Sequence, residues 1–426
     1  MRYEEKQELP AKEKIFRGVV TLIVGLIAVT VIGAVAFGFY QWKEAQNREA
    51  QISDVIHQAE ALLPGYFYDE AIALLDDHKD LVDPNDPKDL ITGKINEINE
   101  LKDNLVKYNG TIQHIFCHSL IVYPELAFDN QGSPAQGYNN NMLTVTEFKR
   151  MLPLLEQKGY ILYPINELYT VNGDTGKMEP KDIYLPKGKI PLVFSVDDVS
   201  YYDYMKKDGF ASRLVIGPDK RVWTEVVTPT GDTIETRDGD AMPILDDYVD
   251  KHPEFSWRGT KGIIALTGYE GVLGYRITDG LPETAAWRKD VTEIADTLKA
   301  EGWLFACHSY THNQHFTKYT TTLAQMKYDL DRWANNIAPY VGKTNIYISP
   351  FGYNFQRGNP AHEYIIQAGY NVFCSVGPSA RLKFRGNIML MTRINMDGYR
   401  FSHYPDQIAQ DFFPVNQVID ERRPPL

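Results

Sequence analysis

The sequence predicts an α/β fold, in which a barrel-like domain with an inserted β-hairpin follows a transmembrane helix and a short helical stalk. Three observations predict it. An uncharged apolar run lies near the N-terminus, and apolar residues then recur at helical spacing. From residue 110 onward, short apolar runs alternate with amphipathic helical segments, which is typical of α/β units around a mainly parallel sheet or barrel.

Residues 18–42 form the predicted transmembrane helix. They contain no charged residue and are long enough to cross ~30 Å of hydrocarbon with some tilt. The basic residues Arg2, Lys6, Lys12, Lys14 and Arg17 precede the run, whereas Lys43 and Arg48 follow it closely. The positive-inside rule therefore predicts a single-pass protein of the cell membrane, with residues 1–17 cytoplasmic and the C-terminal domain extracellular. A cleaved secretory signal is the alternative, but the apolar run is long for one.

An extracellular helical stalk is predicted over residues 43–109. Its first helix should end where Pro64-Gly65 interrupts the helical spacing. A second helix is predicted near residues 70–75. After a turn at residues 83–87, a third helix is predicted over residues 89–106, because isoleucines and leucines form an apolar stripe there.

Charge and cysteine content narrow the class of partner. The net charge is -12 and no dense run of Lys or Arg occurs, which argues against nucleic acid and favours a neutral or cationic polymer. The three cysteines, Cys117, Cys307 and Cys374, each lie in an apolar run, so we expect buried, free thiols.

Residues 110–426 form the predicted catalytic domain. The predicted strands cover residues 112–117, 192–196, 262–266, 303–307, 345–349 and 371–374. The predicted helices cover residues 146–158, 241–252, 287–301, 322–337 and 360–368. The inserted hairpin is predicted over residues 217–240, because Val and Thr alternate around Thr230-Gly231-Asp232.

Several predicted strands end in polar groups. These groups are His118-Ser119, Asp197-Asp198, His308-Ser309 and Ser349-Pro350-Phe351. The loops at the carboxyl ends of barrel strands build the active site, so we expect the groups to converge. Each alone has a structural explanation, since an Asp pair can cap a helix and a histidine can be hydrogen-bonded at the edge of a core.

Together the polar groups predict a catalytic metal site. The Asp pair and the His308-x-x-x-His312 spacing supply oxygen and nitrogen donors that suit a divalent metal. Two imidazoles and one carboxylate make three ligands, which leaves a coordination position open for water. The second aspartate then remains available as a general base.

These motifs resemble those of the polysaccharide deacetylases of the NodB-homology group. The matching segments are Ser195-Val196-Asp197-Asp198-Val199, His308-Ser309-Tyr310-Thr311-His312 and Ile348-Ser349-Pro350-Phe351, in the family's order. The upstream segments FCHSL and GYILYPINEL, followed by IPLVFSVDD, resemble membrane-anchored surface members that act on exported polysaccharides. The resemblance covers about residues 110–400.

The resemblance implies a distorted (β/α) barrel and specific roles for these residues. Asp198, His308 and His312 would bind the divalent metal ion, for which zinc is expected and cobalt or nickel is acceptable. Asp197 would be the base, and the backbone N–H near Phe351 would help to stabilise the oxyanion. The implied reaction is removal of N-acetyl groups from N-acetylhexosamine-containing cell-surface polysaccharide, such as peptidoglycan or an exopolysaccharide.

Three family features are changed in this chain. The Arg of the third motif is replaced by Ile348, and Arg393 on the last strand is the expected substitute. No Leu-x-His motif is present to supply the acid; His403 is the nearest candidate by position and His118 is its rival. Val199 takes the place of a glycine after the Asp pair.

We expect His118, Tyr310, Pro350 and Phe351 to contact the substrate. Aromatic side chains at the rim would suit stacking on sugar rings. Two other functions remain open. The missing motifs are compatible with a catalytically inactive, glycan-binding or envelope scaffold protein. The same site would also suit hydrolysis of O-acetyl esters.

Overall fold

The computed structural model describes residues 10–82, 89–129, 134–276, 285–317 and 319–426. The chain divides into two compact units, one formed by Met1–Leu63 with Phe67–Asp103 and the other by Pro64–Tyr66 with Asn104–Leu426. The turn predicted at residues 83–87 and the first residues of the predicted cytoplasmic segment, 1–9, lie outside the described residues.

The first unit is helical. It contains α1 (Ala11–Leu62), α2 (Tyr68–Asp76), a 3-10 turn (Lys79–Leu81) and α3 (Leu90–Asp103). The predicted membrane segment and first stalk helix are therefore one continuous helix. By length and composition α1 can span a membrane, and its apolar side chains from Ile15 to Trp42 are exposed. Its orientation remains a prediction from the sequence.

The helices of the first unit bury apolar faces against one another. Val55 and Ala59 of α1, Leu75 of α2, and Ile91 and Ile98 of α3 are buried. The third helix ends at Asp103, three residues before its predicted end at residue 106.

Within the described residues, seven parallel strands form a closed barrel in the second unit. They are β1 (Gln113–His118), β2 (Ile190–Asp197), β3 (Ile263–Leu266), β4 (Leu304–Cys307), β5 (Ile346–Ile348), β6 (Val372–Val376) and β7 (Met389–Asn395). Their order around the barrel follows the chain, and β7 pairs with β1 to close it. Because all the strands are parallel, their carboxyl ends meet at one rim.

Helices cover the outside of the barrel. They are α4 (Pro124–Ala127), α5 (Pro134–Asn141), α6 (Val145–Gln157), α7 (Ala241–Lys251), α8 (Ala285–Ala300), α9 (Leu323–Asn336), α10 (Ala338–Val341), α11 (Pro360–Gln367), α12 (Gly398–His403) and α13 (Pro405–Asp411). Capping boxes begin α6 and α9, where Thr144 and Thr322 exchange hydrogen bonds with Glu147 and Gln325.

The six predicted strands and five predicted helices of this unit are confirmed, with ends that differ by one or two residues. The last strand, predicted only as the segment that carries Arg393, is β7. The predicted α/β barrel is therefore confirmed as an architecture. The three cysteines, all in the described part of the chain, are buried and free, as predicted.

The insert between β2 and β3 is a three-stranded antiparallel sheet. Its strands are Ala211–Ile216, Val222–Val227 and Thr233–Thr236. The last two form the predicted hairpin, which turns at Gly231 with φ +90°. Asp240 then caps α7, and its carboxylate accepts hydrogen bonds from the Leu120 and Ala241 backbones and from the Tyr201 hydroxyl.

Smaller elements complete the unit. Further strands are Val106–Lys107, Tyr160–Leu162, Tyr169–Val171, Met178–Pro180, Tyr184–Leu185 and Leu382–Phe384. The 3-10 turns are Ile165–Glu167, Asp203–Asp208, Pro253–Phe255, Trp257–Gly259, Gln314–Phe316, Pro350–Gly352 and Val415–Gln417.

The C-terminal tail returns to the barrel wall through a buried ion pair. Arg423 binds Glu147 of α6 with both ends of its guanidinium, and neither side chain is exposed. Arg423 also donates to the Asn139 and Met142 backbone carbonyls at the end of α5. The tail thereby fixes the segment that leads from α5 into α6.

Candidate metal centre

A cavity of about 500 Å³ opens at the carboxyl rim of the barrel. Every strand end except that of β3 contributes to its lining, either directly or through the residues that follow. Among the lining residues are His118, Asp197, Asp198, His308, His312, Ser349, Val376, Arg393 and Asn395. The convergence expected from parallel strands therefore brings the polar groups into one site.

Asp198, His308 and His312 lie together in this cavity. Asp198 Oδ1 is 3.7 Å from His308 Nε2 and 3.9 Å from His312 Nε2. It has no hydrogen-bond partner within the described residues although it is buried. Ligands bound tetrahedrally to zinc lie about 3.3 Å apart, as bond lengths of roughly 2.0–2.2 Å require. The spacing and the unsatisfied oxygen fit a divalent metal ion.

Unusual backbone conformations aim these ligands. Asp198 has φ +58°, His312 has φ +42° and Ser309, between the two histidines, has φ +67°. Non-glycine residues adopt positive φ at a cost of about 1–3 kcal/mol, and such residues cluster at functional sites. The next residue, Val199, is fully buried and packs into the core.

Asp329 of α9 holds the histidine loop in this conformation. Its buried carboxylate accepts hydrogen bonds from the Ser309 hydroxyl, the Tyr310 and Thr311 backbones and the Thr311 hydroxyl, at 2.6 to 2.9 Å. Asp329 was not predicted from the sequence, because an aspartate on an amphipathic helix is usually exposed. Its burial could have been predicted from a helical wheel of α9, which places it beside the buried Met326, Leu330 and Trp333.

His308 is prepared to act as a ligand. Its Nδ1 donates to the Ile348 carbonyl at 2.9 Å, which leaves the Nε2 lone pair facing Asp198. Burial lowers the pKa of His308, so its imidazole is neutral at pH 7. Ile348 thus contributes its backbone carbonyl to the site.

Asp197 is buried beside the ligands and paired with Arg393. Arg393 Nη1 and Nη2 bind the two carboxylate oxygens at 2.7 and 2.8 Å. Burial alone would raise the pKa of Asp197, but the Arg393 guanidinium together with the neighbouring His308 and His118 holds this pKa well below its usual range. The arginine expected to substitute for position 348 therefore reaches the predicted base.

The two candidate acids occupy different places. His118 lines the cavity, and its Nδ1 donates to the Asn141 carbonyl at 3.0 Å, which leaves Nε2 available. His403 is not among the described residues that line the cavity. Its ring is exposed and stacks on Tyr399, because it lies at the last turn of α12 outside the rim. The structure therefore does not bring His403 to the cavity, where it was predicted to act, whereas it does bring His118 there.

The predicted substrate contacts are brought together only in part. Phe351 lines the cavity, is 49% exposed and lies 4.3 Å from the His312 ring. Tyr310 and Pro350 are buried and are not among the described lining residues. Tyr310 instead points into the domain, where the Arg332 guanidinium lies over its ring at 4.7 Å. We therefore correct the substrate contacts predicted for Tyr310 and Pro350.

A second group, Glu156, His252 and Glu254, also has metal-ligand spacing. Two of its three side chains, Glu156 and His252, are already engaged with each other or with a tyrosine. Glu156 accepts a hydrogen bond from Tyr248 and pairs with His252 Nδ1 at 3.2 Å.

No family model, no curated protein and no solved structure matches this chain. The function must therefore be inferred from the motifs and from the geometry of the cavity.

Proposed function

We propose that this protein is a divalent-metal-dependent hydrolase that removes N-acetyl groups from an N-acetylhexosamine-containing polysaccharide at the cell surface. The observation that carries the proposal is the Asp198, His308 and His312 cluster next to a buried, ionised Asp197. A zinc ion held by the cluster would lower the pKa of a water molecule and polarise the acetamide carbonyl.

The chain's own residues would carry the protons. Asp197, oriented by Arg393, accepts a proton from the attacking water, whose oxygen forms the new bond to the acetyl carbon. The C–N bond then breaks, and acetate and an amine are the products. The departing amine takes the Nε2 proton of a doubly protonated His118, whose Nδ1 keeps its hydrogen bond to the Asn141 carbonyl. Solvent then takes the proton left on Asp197 and supplies one to His118, which restores both groups.

The mouth of the cavity suits a sugar polymer. Tyr204, Phe351 and Tyr399 line it with 57%, 49% and 44% of their surface exposed. Exposed aromatic rings stack on the apolar faces of sugars. The negative net charge favours a neutral or cationic chain, and α1, if inserted in a membrane, would keep the domain close to surface polysaccharide.

Acetate release by the full-length protein in detergent, with added Zn²⁺, tests the proposal. Chito-oligosaccharides and peptidoglycan are the substrates. We expect His308→Ala to lose both zinc and activity, whereas Asp197→Asn should keep zinc and lose about 10²–10⁴-fold in kcat. His118→Gln should also keep zinc and lose kcat. His252→Ala is the matched control and should behave like wild type, because its histidine lies in the second group.

Other outcomes would overturn the proposal in distinct ways. Paired N-acetylated and O-acetylated substrates separate an amidase from an esterase, and release from the ester alone would assign the site to O-deacetylation. A folded, zinc-loaded protein that binds the polysaccharide without releasing acetate would assign it to a glycan-binding role.

A further inference from the structure

A chain of buried polar groups extends from the cavity into the barrel interior. Arg393 Nη1, besides binding Asp197, donates to Ser195 Oγ at 3.1 Å. Ser195 Oγ in turn lies 3.0 Å from His114 Nε2. All of these side chains are at most 3% exposed. Ser195 is on β2, two residues before Asp197, and His114 is on the neighbouring β1.

The hydrogen bonds of this chain begin at Arg393. A guanidinium can only donate, so the Ser195 oxygen accepts from Arg393. Burial lowers the pKa of His114, so its ring is neutral and one of its two nitrogens carries the proton. In either tautomer His114 Nε2 is hydrogen-bonded to Ser195 Oγ, because the hydroxyl can donate to this nitrogen or accept from it. Ser195 is therefore held between Arg393 and His114.

Stability alone does not account for these residues. His114 Nδ1 and Arg393 Nε have no hydrogen-bond partner within the described residues, and buried unsatisfied groups cost free energy. The face of Arg393 lies 4.1 Å from the centre of the Phe116 ring, its edge binds Asp197, and Ser195 takes a further bond from Nη1. These contacts together hold the Arg393 guanidinium in one position.

The position of this guanidinium matters because Asp197 could itself reach the metal site. Asp197 Oδ2 is 3.9 Å from His308 Nε2, nearly as close as the predicted ligand Asp198 at 3.7 Å. Both oxygens of Asp197 are engaged by Arg393 instead. Two adjacent carboxylates are thus given different tasks by one arginine.

We propose that Ser195 and His114 are positioning residues that hold Arg393, so that Asp197 stays off the metal ion and remains available as the base. This inference rests on the proposed metal site. Without Ser195 and His114, which we call the relay because they link Arg393 to the barrel interior, Arg393 would be less firmly held and Asp197 would become an additional ligand of the metal ion. The expected result is an ion with a higher coordination number and a less effective base.

Cobalt-substituted full-length protein in detergent provides a readout that needs no substrate. Visible absorption of Co²⁺ weakens and shifts as its coordination number rises. We expect Ser195→Ala to weaken these bands, Ser195→Thr to restore them because it keeps the hydroxyl, and His114→Phe to weaken them less. Ser256→Ala, which removes another buried, hydrogen-bonded serine hydroxyl, is the matched control and should leave the spectrum unchanged.

Kinetics supply the second readout. Ser195→Ala should lower kcat about tenfold, the usual effect of one hydrogen bond to a charged group, with KM and metal content nearly unchanged. The double variant Ser195→Ala/His114→Phe should be no worse than Ser195→Ala, because His114 acts only through Ser195.

The outcomes separate this inference from the proposed function. If wild type releases no acetate but the cobalt spectra change as expected, the relay stands and the deacetylase function does not. Unchanged spectra and kcat in Ser195→Ala would overturn the relay alone. If Ser195→Ala does not fold, a folded His114→Phe with a wild-type spectrum overturns it equally. A wild type that binds no cobalt overturns both.

Discussion

The buried ion pair between Arg423 and Glu147 predicts a large contribution to the stability of the fold. Arg423→Met would leave the Glu147 carboxylate uncompensated, with no exposed surface. Removing one partner of a buried pair costs about 3–5 kcal/mol. Arg423 also satisfies the Asn139 and Met142 carbonyls, so we expect the free energy of unfolding to fall by roughly 4 kcal/mol.

Urea unfolding of the full-length protein in detergent measures this loss. Adding Glu147→Gln to Arg423→Met should recover a substantial part of it, because the buried charge is removed while the amide oxygen still accepts from the Thr144 backbone. Arg357→Met, which breaks an exposed pair with Glu363, is the control and should cost less than ~1 kcal/mol. An Arg423→Met protein as stable as this control would refute the reasoning.

Two further predictions concern the insert junction and the cavity mouth. Burial raises the pKa of Asp240 to about 6 from its ordinary 3.8, so ionisation of this group destabilises the fold progressively as pH rises from about 4 to 6. Between pH 4 and pH 7, the free energy of unfolding of Asp240→Asn in urea should therefore rise by roughly 3 kcal/mol relative to that of wild type. A difference that does not change with pH would contradict this. Tyr204→Ala should raise KM about 2- to 10-fold for long chito-oligosaccharides and leave KM for short ones unchanged, as expected for the loss of one stacking contact. Tyr328→Ala removes a similarly exposed tyrosine on α9 and should leave KM unchanged. An equal rise in KM in both variants would argue against sugar stacking on Tyr204 at the cavity mouth.

Much of the barrel could be predicted because its strands are buried on both faces. Such strands appear in the sequence as short apolar runs, and in the parallel order their polar ends must meet. This reasoning predicts that Asp197, Asp198 and His308 lie at one rim, where the structure has them. Arg393 was predicted from the resemblance instead, and the structure pairs it with Asp197.

Side-chain direction within loops could not be predicted in the same way. Tyr310 and His403 are each near cavity residues in sequence, yet one points into the domain and the other lies outside the rim. Their directions depend on the positive φ at Ser309 and on the helical turn of α12, which leave no periodic signal. The pairing of Arg423 with Glu147 joins residues 276 positions apart, and a lone charge in a sequence does not identify its partner.

The hydrogen bonds of Asp329 have a consequence for how a metal ion would enter the proposed site. In small zinc domains the ion supplies the folding free energy, so the apoprotein is unfolded and chelators denature it. Here a carboxylate from α9 already holds the loop between His308 and His312 through four hydrogen bonds. Little chain entropy remains to be lost on binding, so the ion should exchange with a folded apoprotein, and chelation should stop turnover without unfolding the barrel.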